Sequence, residues 1–491
     1  MRPAYVLVVY LAVPGLIPAL VAARRSPVVV FLAPLIGAAM AAVAAEIELG
    51  VGGSLLTCYL PVVLLVNAAA VSWWLAAGRH WRWPSPPLGW SALTVLVMAA
   101  VLVYPLLPLR VPMIGWDANS IWLTHSMMVA SGHHGLLTGL RNQADFFDNP
   151  DYPPLVPAAG ALELLRFGPA SLHSAVVVTE LLTASAIAAV GCLIAMSVRS
   201  GTVARLCGLV AGGVVCLAAY GVSYPFSVIG YTDALWAAAA VAAVICGLVL
   251  PREPRYLLLA WIFAVVASLT KNEGLTTALV TLVLIAFRYK PLGRPAPGRR
   301  RAHSQPGLAA KTWQASRQWV ARVGYVLVPA IPGLASAAIA KHVGLQNEFF
   351  IKHPVSETFW YRAGATVAGL AGHLAIVPAA AGVLIIGGCF LRTDRRLAGL
   401  GNPAWLWLAC LGSLIAIFVT YAVGQLEIHT WLATSVARTT IFAQLLLCAD
   451  IALWLVLAVE AATSRRRQQR PGDDVIPDHS LAESASRRYL P

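Results

Sequence analysis

Long apolar runs dominate this sequence and decide what the chain can fold into. A helix needs roughly 20 mostly apolar residues to cross the hydrocarbon core of a bilayer, and about 13 stretches approach that length. They predict an all-α polytopic transmembrane bundle of about 13 spans, with interfacial helices in one long external loop. The approximate span centres are Val13, Leu35, Leu64, Val97, Ile187, Val214, Val241, Phe263, Val283, Pro332, Val383, Leu414 and Trp454.

The composition excludes most classes of soluble protein. Of the 491 residues, 59% are hydrophobic and only 11% are charged, whereas a soluble domain is about 25% charged. A cytosolic enzyme, a secreted module held by disulfides and a disordered protein are therefore excluded. The eight cysteines all lie inside apolar runs without a CxxC pair, so neither a disulfide framework nor a zinc site is expected.

The positive charges predict the orientation of the chain in the membrane. The net charge is +14, but Lys and Arg fall mostly in short alternating loops, which indicates topology and not a nucleic-acid partner. Positive loops stay in the cytoplasm, which places the N-terminus outside, the C-terminus inside and most acidic loop residues on the extracytoplasmic face of a cell membrane. The positive set comprises Arg24, Arg25, Arg79, Arg82, Arg199, Arg205, Arg252, Arg255, the stretch 288–322, Arg392, Arg395, Arg396 and the C-terminal tail.

The spans and loops predict three parts of the chain. Residues 1–88 form additional N-terminal helices, and residues 89–462 form a core with an external loop at 107–170 and a basic cytoplasmic linker at 288–322. Residues 463–491 are polar and predict a disordered cytoplasmic tail.

The first half of the external loop predicts a helix at the membrane surface, in the sequence GWDANSIWLTHSMMVASG. Asp117 stands at its start, where it can be a helix N-cap. A carboxylate at this level can also accept a proton from a bound hydroxyl, and the two roles are compatible. One stripe at helical spacing can rest among the headgroups. It consists of Ile121, Trp122, His125, Met128 and Val129.

The second half of the loop brings together carboxylates and prolines. Asp145, Asp148 and Asp151 are followed by Tyr152 and two prolines, which favour an extended and rigid backbone. The segment is either a stiff external turn or a loop that holds polar groups over a cavity. Three carboxylates can also bind a divalent cation, although the spacing matches no known loop, and no other cofactor is indicated.

Three shorter external segments carry further polar residues. Asp233 is either a helix cap or a site residue, and Lys271 with Glu273 is either an interfacial salt bridge or a functional pair. Arg438 lies on the external side against the charge rule and needs a partner. That partner is either a nearby carboxylate or a lipid phosphate, which a guanidinium binds through two hydrogen bonds. Glu427 and His429 precede Arg438 in the sequence GQLEIHTWLATSVAR.

The chain resembles the GT-C class of bacterial membrane glycosyltransferases, which use polyprenyl-phosphate sugars. The resemblance is carried by five short motifs that follow one another along the chain. Within that class, the chain resembles the family-39-type proteins, which include protein O-mannosyltransferases and aminoarabinose transferases. The resemblance covers roughly residues 90 to 450. Its motifs are Trp116-Asp117-Ala118, Asp151-Tyr152-Pro153-Pro154-Leu155, Tyr231-Thr232-Asp233, Thr270-Lys271-Asn272-Glu273-Gly274, and Trp431-Leu432-Ala433-Thr434-Ser435 with Arg438.

The resemblance implies a reaction and a set of site residues. Asp117 matches the catalytic Asp of the family's first external loop and would deprotonate an acceptor hydroxyl, whose oxygen displaces a polyprenyl phosphate with inversion. Lys271 and Arg438 would neutralise the departing phosphate. The acceptor would be a glycan, a lipid or a protein. The residues implied to line the sugar or acceptor pocket are Asp151, Tyr152, Asp233, Glu273 and His429.

Two other functions also fit a chain of this kind. A transporter or flippase for a lipid or an anion needs charges inside the membrane, often within repeated halves, but here most charges lie at span ends and no repeat is evident. A non-catalytic scaffold would present an apolar outer surface without a polar cluster.

Overall fold

The computed structural model describes residues 2–24, 26–77, 87–106, 114–142, 149–198, 202–251, 253–289, 308–345, 357–383 and 404–468. Several predictions fall outside these ranges: the positive charges at Arg25, Arg79, Arg82, Arg199, Arg252, Arg392, Arg395 and Arg396, the carboxylates Asp145 and Asp148, and most of the C-terminal tail.

The described chain is built from helices and contains no strand in those ranges. Two helices include π-helical turns, at Val6–Ala12 in α1 and at Ile245–Val249 in α10, and another such turn at Ala118–Leu123 leads into α5. The helices are α1 Arg2–Ala23, α2 Val28–Val51, α3 Leu55–Ala77, α4 Leu88–Leu106, α5 Thr124–Ala130, α6 His133–Leu140, α7 Leu155–Phe167, α8 Leu172–Met196, α9 Thr202–Ser223, α10 Asp233–Val249, α11 Pro254–Thr270, α12 Asn272–Arg288, α13 Leu308–His342, α14 Phe359–His373, α15 Val377–Val383, α16 Ala404–Val423, α17 Ile428–Thr439 and α18 Ile441–Gln468.

Three helices form the centre of the bundle. Nearly all of α2 and α8 is buried, and every residue of α10 is buried. A helix that is apolar on all sides must be covered on all sides, and the alanine run of α10 lets neighbouring helices approach it closely. Trp236 of α10 stacks on Phe442 of α18 with ring centroids 6.1 Å apart, which fixes the last helix against the first residues of α10.

The prediction of an all-α polytopic membrane protein is confirmed, but the count of about 13 spans is not. Each of the thirteen predicted centres lies in a helix. Within the described residues, eight helices are long and apolar enough to cross a membrane, or nine if α14 and α15, bent by 64°, form one span. Three of the other four predicted centres lie in α10, α11 and α12, which have 17 residues each, about 25 Å at 1.5 Å per residue, against roughly 30 Å of hydrocarbon.

Helix ends group on two opposite sides of the bundle. On one side, the Ser26 hydroxyl donates to the Met196 sulfur at 3.0 Å, which joins the start of α2 to the end of α8. The Arg288 guanidinium donates to the carbonyls of Gly247 and Leu250 at 2.6 and 2.9 Å, near the end of α10. Because α10 begins at Asp233, about 25 Å away along its axis, Asp233 lies at the side opposite to these ends.

The segments predicted as loop and linker are partly helical. The external loop 107–170 contains α5, α6 and all of α7. The predicted surface helix is present, but Ile121, Trp122, His125 and Val129 of its stripe are buried, because α5 packs against α7 and not on headgroups. Residues 308–322 of the predicted linker 288–322 belong to α13, and this part of the helix contains no proline, whereas residues 290–307 lie outside the described ranges.

Among the described N-terminal helices, α2 packs tightly against the helices that follow. α2 lies against α7 and α8, and the Glu46 carboxylate of α2 accepts a hydrogen bond of 2.5 Å from the Ser336 hydroxyl of α13. α1 and α2 cross at two glycines. A Cβ at Gly37 would lie 2.0 Å from the Leu11 carbonyl oxygen, and a Cβ at Gly15 equally close to that of Ala33, so only glycine permits this approach.

Replacing Gly37 by Leu is expected to separate α1 from α2 and to lower the free energy of unfolding by about 1–3 kcal/mol, the usual cost of overpacking. The measurement is thermal unfolding of the purified protein in detergent. The matched control is Gly364→Ala in α14, where an added Cβ meets nothing within 4 Å. That change should be neutral or slightly stabilising, and equal losses in the two variants would contradict the prediction.

Candidate functional site

A buried ion pair lies where three helix ends meet. Lys271 stands between α11 and α12, and its ammonium donates to the carboxylate of Asp233 at 2.8 Å. Asp233 is the first residue of α10 and is 2% exposed, and Lys271 is 4% exposed. Glu273, in the first turn of α12, approaches the same ammonium at 3.4 Å. Lys271 and Glu273 therefore form a pair, as the sequence suggested, but the closer partner of the lysine is Asp233.

Arg438 connects this pair to Asp117. Its guanidinium donates to the Asp117 carboxylate and lies 4.0 Å from the Asp233 carboxylate. The same guanidinium lies over the Tyr231 ring, with 5.2 Å between its central carbon and the ring centroid. Asp117, Asp233, Lys271, Glu273 and Arg438 thus form one continuous network, which is called the ionic cluster below.

The cap interpretations of Asp117 and Asp233 are wrong. Asp117 precedes the π-helical turn with helical backbone angles and makes no side-chain cap hydrogen bond. Asp233 follows Thr232, which holds the N-cap position. Both carboxylates turn towards Arg438 and Lys271 because a buried cation needs a counter-ion more than a helix end needs a cap. For Arg438, a carboxylate partner is present in the protein itself.

Two glycines set the backbone around Asp117. Gly115 donates its N–H to the Ile229 carbonyl at 2.8 Å, and a Cβ there would lie 2.3 Å from the Tyr231 ring. Gly230 has a φ of +83°, a conformation that favours glycine. Its N–H donates to the buried Glu180 carboxylate at 2.6 Å. These contacts hold Tyr231, whose hydroxyl accepts from the Asp117 amide at 3.4 Å.

Asp151 and Tyr152 lie at the edge of the ionic cluster. The Asn272 amide donates to Asp151 at 2.9 Å, which attaches the proline-rich turn to the start of α12. The Tyr152 ring stacks on Trp122 with centroids 5.5 Å apart, and the Lys271 ammonium lies 5.6 Å from its centroid. Behind this turn is a cavity of about 30 Å³, also lined by Glu46, His125 and Ser336. It is large enough for water but not for a sugar.

Negative charges outnumber positive ones in the ionic cluster. Lys271 and Arg438 face Asp117, Asp233 and Glu273. Burial lowers the pKa of Lys271, but the charges of Asp233 and Glu273 raise it by more than burial lowers it. The pKa therefore lies above its ordinary value, and the ammonium stays protonated. The cluster is therefore a fixed arrangement of charges with one excess carboxylate.

His429 lies apart from the ionic cluster. It is nine residues before Arg438 on the same helix, about 13.5 Å along the axis. Its ring nitrogen shares a hydrogen bond of 2.7 Å with the Tyr361 hydroxyl. The preceding Glu427 caps α17, and hydrogen bonds from Thr430 and from the His429 amide lower the pKa of its carboxyl to about 2.

Several contacts near the site were not predicted from the sequence. Asn272 and Tyr231 belong to sequence motifs that were singled out for their charged residues. Their position next to those charged residues was the signal that could have predicted their contacts. Arg362 was missed: it is 3% exposed, it pairs with Glu357 at 2.6 Å, and it donates to the carbonyls of Leu426 and Tyr421 at 2.7 Å each. An arginine inside an apolar helix was the available signal for this contact.

An apolar groove runs down the outside of the bundle between α9 and α18, with a volume of about 540 Å³. Its lining includes Leu206 and Ala218 of α9 and Cys448 and Val459 of α18. Cys448 is ten residues beyond Arg438, which is about 15 Å at the helical rise.

Comparisons with models of known protein families, with curated proteins and with solved structures find no match to this chain.

Proposed function

We propose that this chain is a membrane glycosyltransferase that moves a sugar from a polyprenyl-phosphate donor to an acceptor hydroxyl on the extracytoplasmic face. The observation that carries the proposal is the ionic cluster. Asp117 and Arg438, which are 321 residues apart in sequence, are in direct contact, and Lys271 joins them through Asp233. These are the three residues to which the resemblance assigned base and phosphate-binding roles.

The chemistry follows from the positions of these groups. Asp117 takes the proton of the acceptor hydroxyl, the oxygen forms a bond to the anomeric carbon, and the bond from that carbon to the phosphate oxygen breaks. Arg438 and Lys271 stabilise the negative charge that develops on the departing prenyl phosphate. Attack from the face opposite to the leaving group inverts the anomeric centre.

The surroundings of the cluster suit a donor with a long apolar tail. The groove between α9 and α18 is open and apolar, and it extends over about 18 Å of helix from Leu206 to Ala218. A prenyl chain lying in it would reach towards the end of the bundle where Arg438 lies. The acceptor then approaches from the aqueous side, where the Asp117 side chain is 13% exposed.

The charge distribution supports an extracytoplasmic active site. The cluster lies at the start of α10, whereas Arg288 and the Arg255 segment lie at its opposite end. If the positive ends face the cytoplasm, the ionic cluster faces out.

The test is transfer by the purified protein in nanodiscs supplied with prenyl-phosphate sugars and a mixture of hydroxyl acceptors. We expect protein-dependent release of prenyl phosphate in proportion to glycosylated product, and no turnover of nucleotide sugars. The rival function, a flippase, predicts that a fluorescent prenyl-phosphate lipid crosses proteoliposome membranes without cleavage. Movement of intact lipid with no glycosyl product would refute the proposal.

A further inference from the structure

Arg438 contacts three groups in the ionic cluster, which is more than the single counter-ion that its buried charge requires. Its guanidinium contacts Asp117, lies 4.0 Å from Asp233 and covers the Tyr231 ring. If Asp117 left, Asp233 would still compensate the positive charge, and Tyr231 would still support the flat face of the guanidinium. Arg438 can therefore exchange one partner without becoming an unpaired buried cation.

Lys271 has no such freedom. Its side chain is 5% exposed and is held by Asp233 at 2.8 Å and by Glu273 at 3.4 Å, whereas the side chain of Arg438 is 13% exposed. An incoming anion therefore reaches Arg438 more easily than Lys271.

The contact between Asp117 and Arg438 also blocks the role proposed for Asp117. The guanidinium of Arg438 occupies an oxygen of the Asp117 carboxylate that a substrate hydroxyl would otherwise approach. In the arrangement seen here, the base is bound by the group that is meant to receive the phosphate.

We propose that the phosphate of a prenyl-linked donor takes Arg438 from Asp117, so that the base becomes free only after the donor has bound. This inference rests on the proposed function and adds an order of events to it. Phosphate competes well for the guanidinium because it accepts two parallel charge-assisted hydrogen bonds. The acceptor hydroxyl is deprotonated only when a donor is in place. An acceptor that binds before the donor is therefore not activated.

The experiment measures the accessibility of the Asp117 carboxylate. The full-length protein in nanodiscs is treated with a water-soluble carbodiimide and an amine, and the modified carboxyl groups are located by mass spectrometry. The probe is geranylgeranyl phosphate, and the controls are geranylgeraniol and inorganic phosphate at the same concentration. Glu253 is the internal reference, since it pairs with Arg255 at 2.8 Å at the opposite end of the bundle.

We expect labelling of Asp117 to rise several-fold with geranylgeranyl phosphate, while labelling of Glu253 stays constant. Geranylgeraniol and inorganic phosphate should leave Asp117 unchanged. In Arg438→Met, Asp117 should be labelled strongly without any ligand and should not respond to the lipid phosphate. If this variant does not fold, the titration of the unmodified protein decides alone.

The inference is overturned if Asp117 labelling stays flat at saturating lipid phosphate, or if geranylgeraniol or inorganic phosphate raises it equally. Binding of geranylgeranyl phosphate is followed in the same samples by native mass spectrometry. Lipid binding and sugar transfer without a change at Asp117 would overturn the exchange but leave the glycosyltransferase standing. Absence of both lipid binding and transfer would remove the two proposals together.

Discussion

Replacing Asp117 by Asn is expected to lower the rate of sugar transfer by about 10²–10⁴-fold, the usual contribution of a general base. The amide has nearly the shape of the carboxylate but accepts no proton at neutral pH. The measurement is release of prenyl phosphate by the purified variant in nanodiscs, with saturating donor and acceptor.

The matched control for this change is Glu253→Gln, which removes a carboxylate paired with Arg255 at the opposite end of the bundle. It should transfer at the normal rate. The melting temperature of Asp117→Asn should stay close to that of the unmodified protein, since Arg438 keeps Asp233 as a partner. A variant that folds and transfers at the normal rate would exclude Asp117 as the base.

The sequence singled out the residues of the ionic cluster but did not predict how they pair. Lys271 and Glu273 stood out because charges at membrane depth are costly, Arg438 because it lies outside against the charge rule, and Asp117 and Asp233 because they precede helical segments. Which carboxylate meets which cation depends on how helices far apart in the chain pack. Arg438 lies nearer in sequence to Glu427 than to Asp117, yet it contacts Asp117, because the end of α17, which carries Arg438, lies beside the start of α10.

His429 shows the limit of proximity in sequence as a guide. It was grouped with Arg438 because both lie in one short external segment. That segment is the helix α17, and nine residues of helix separate their side chains by about 13.5 Å. A loop at the same place would have allowed them to meet.

The count of about 13 spans is not confirmed for a related reason. Apolar character alone does not distinguish a helix that crosses the bilayer from a shorter helix buried among other helices. α10 and α11 are apolar because other helices cover them, and each has only 17 residues. Length, which depends on where each helix ends, is the property that the apolar pattern predicts least well.

Replacing Asp233 by Asn is expected to have the largest effect on stability. Asp233 is 2% exposed and is the only residue of the ionic cluster that faces both Lys271 and Arg438. Its loss leaves the buried Lys271 ammonium with only the more distant Glu273. Removing one partner of a buried ion pair costs about 3–5 kcal/mol, so the free energy of unfolding in detergent should fall by that amount, and sugar transfer should be lost with it.

A second variant separates the charge effect from a packing effect. In the double variant Asp233→Asn/Lys271→Met, the unpaired ammonium is gone and an apolar side chain of similar length takes its place. If the cost of Asp233→Asn is the uncompensated charge of Lys271, the double variant should recover most of the lost stability while sugar transfer stays absent. Its stability is measured by the same unfolding experiment. Additive losses in the double variant would mean that Asp233 stabilises the fold by packing and by hydrogen bonds within α10, and that the ionic cluster is not held together through this carboxylate.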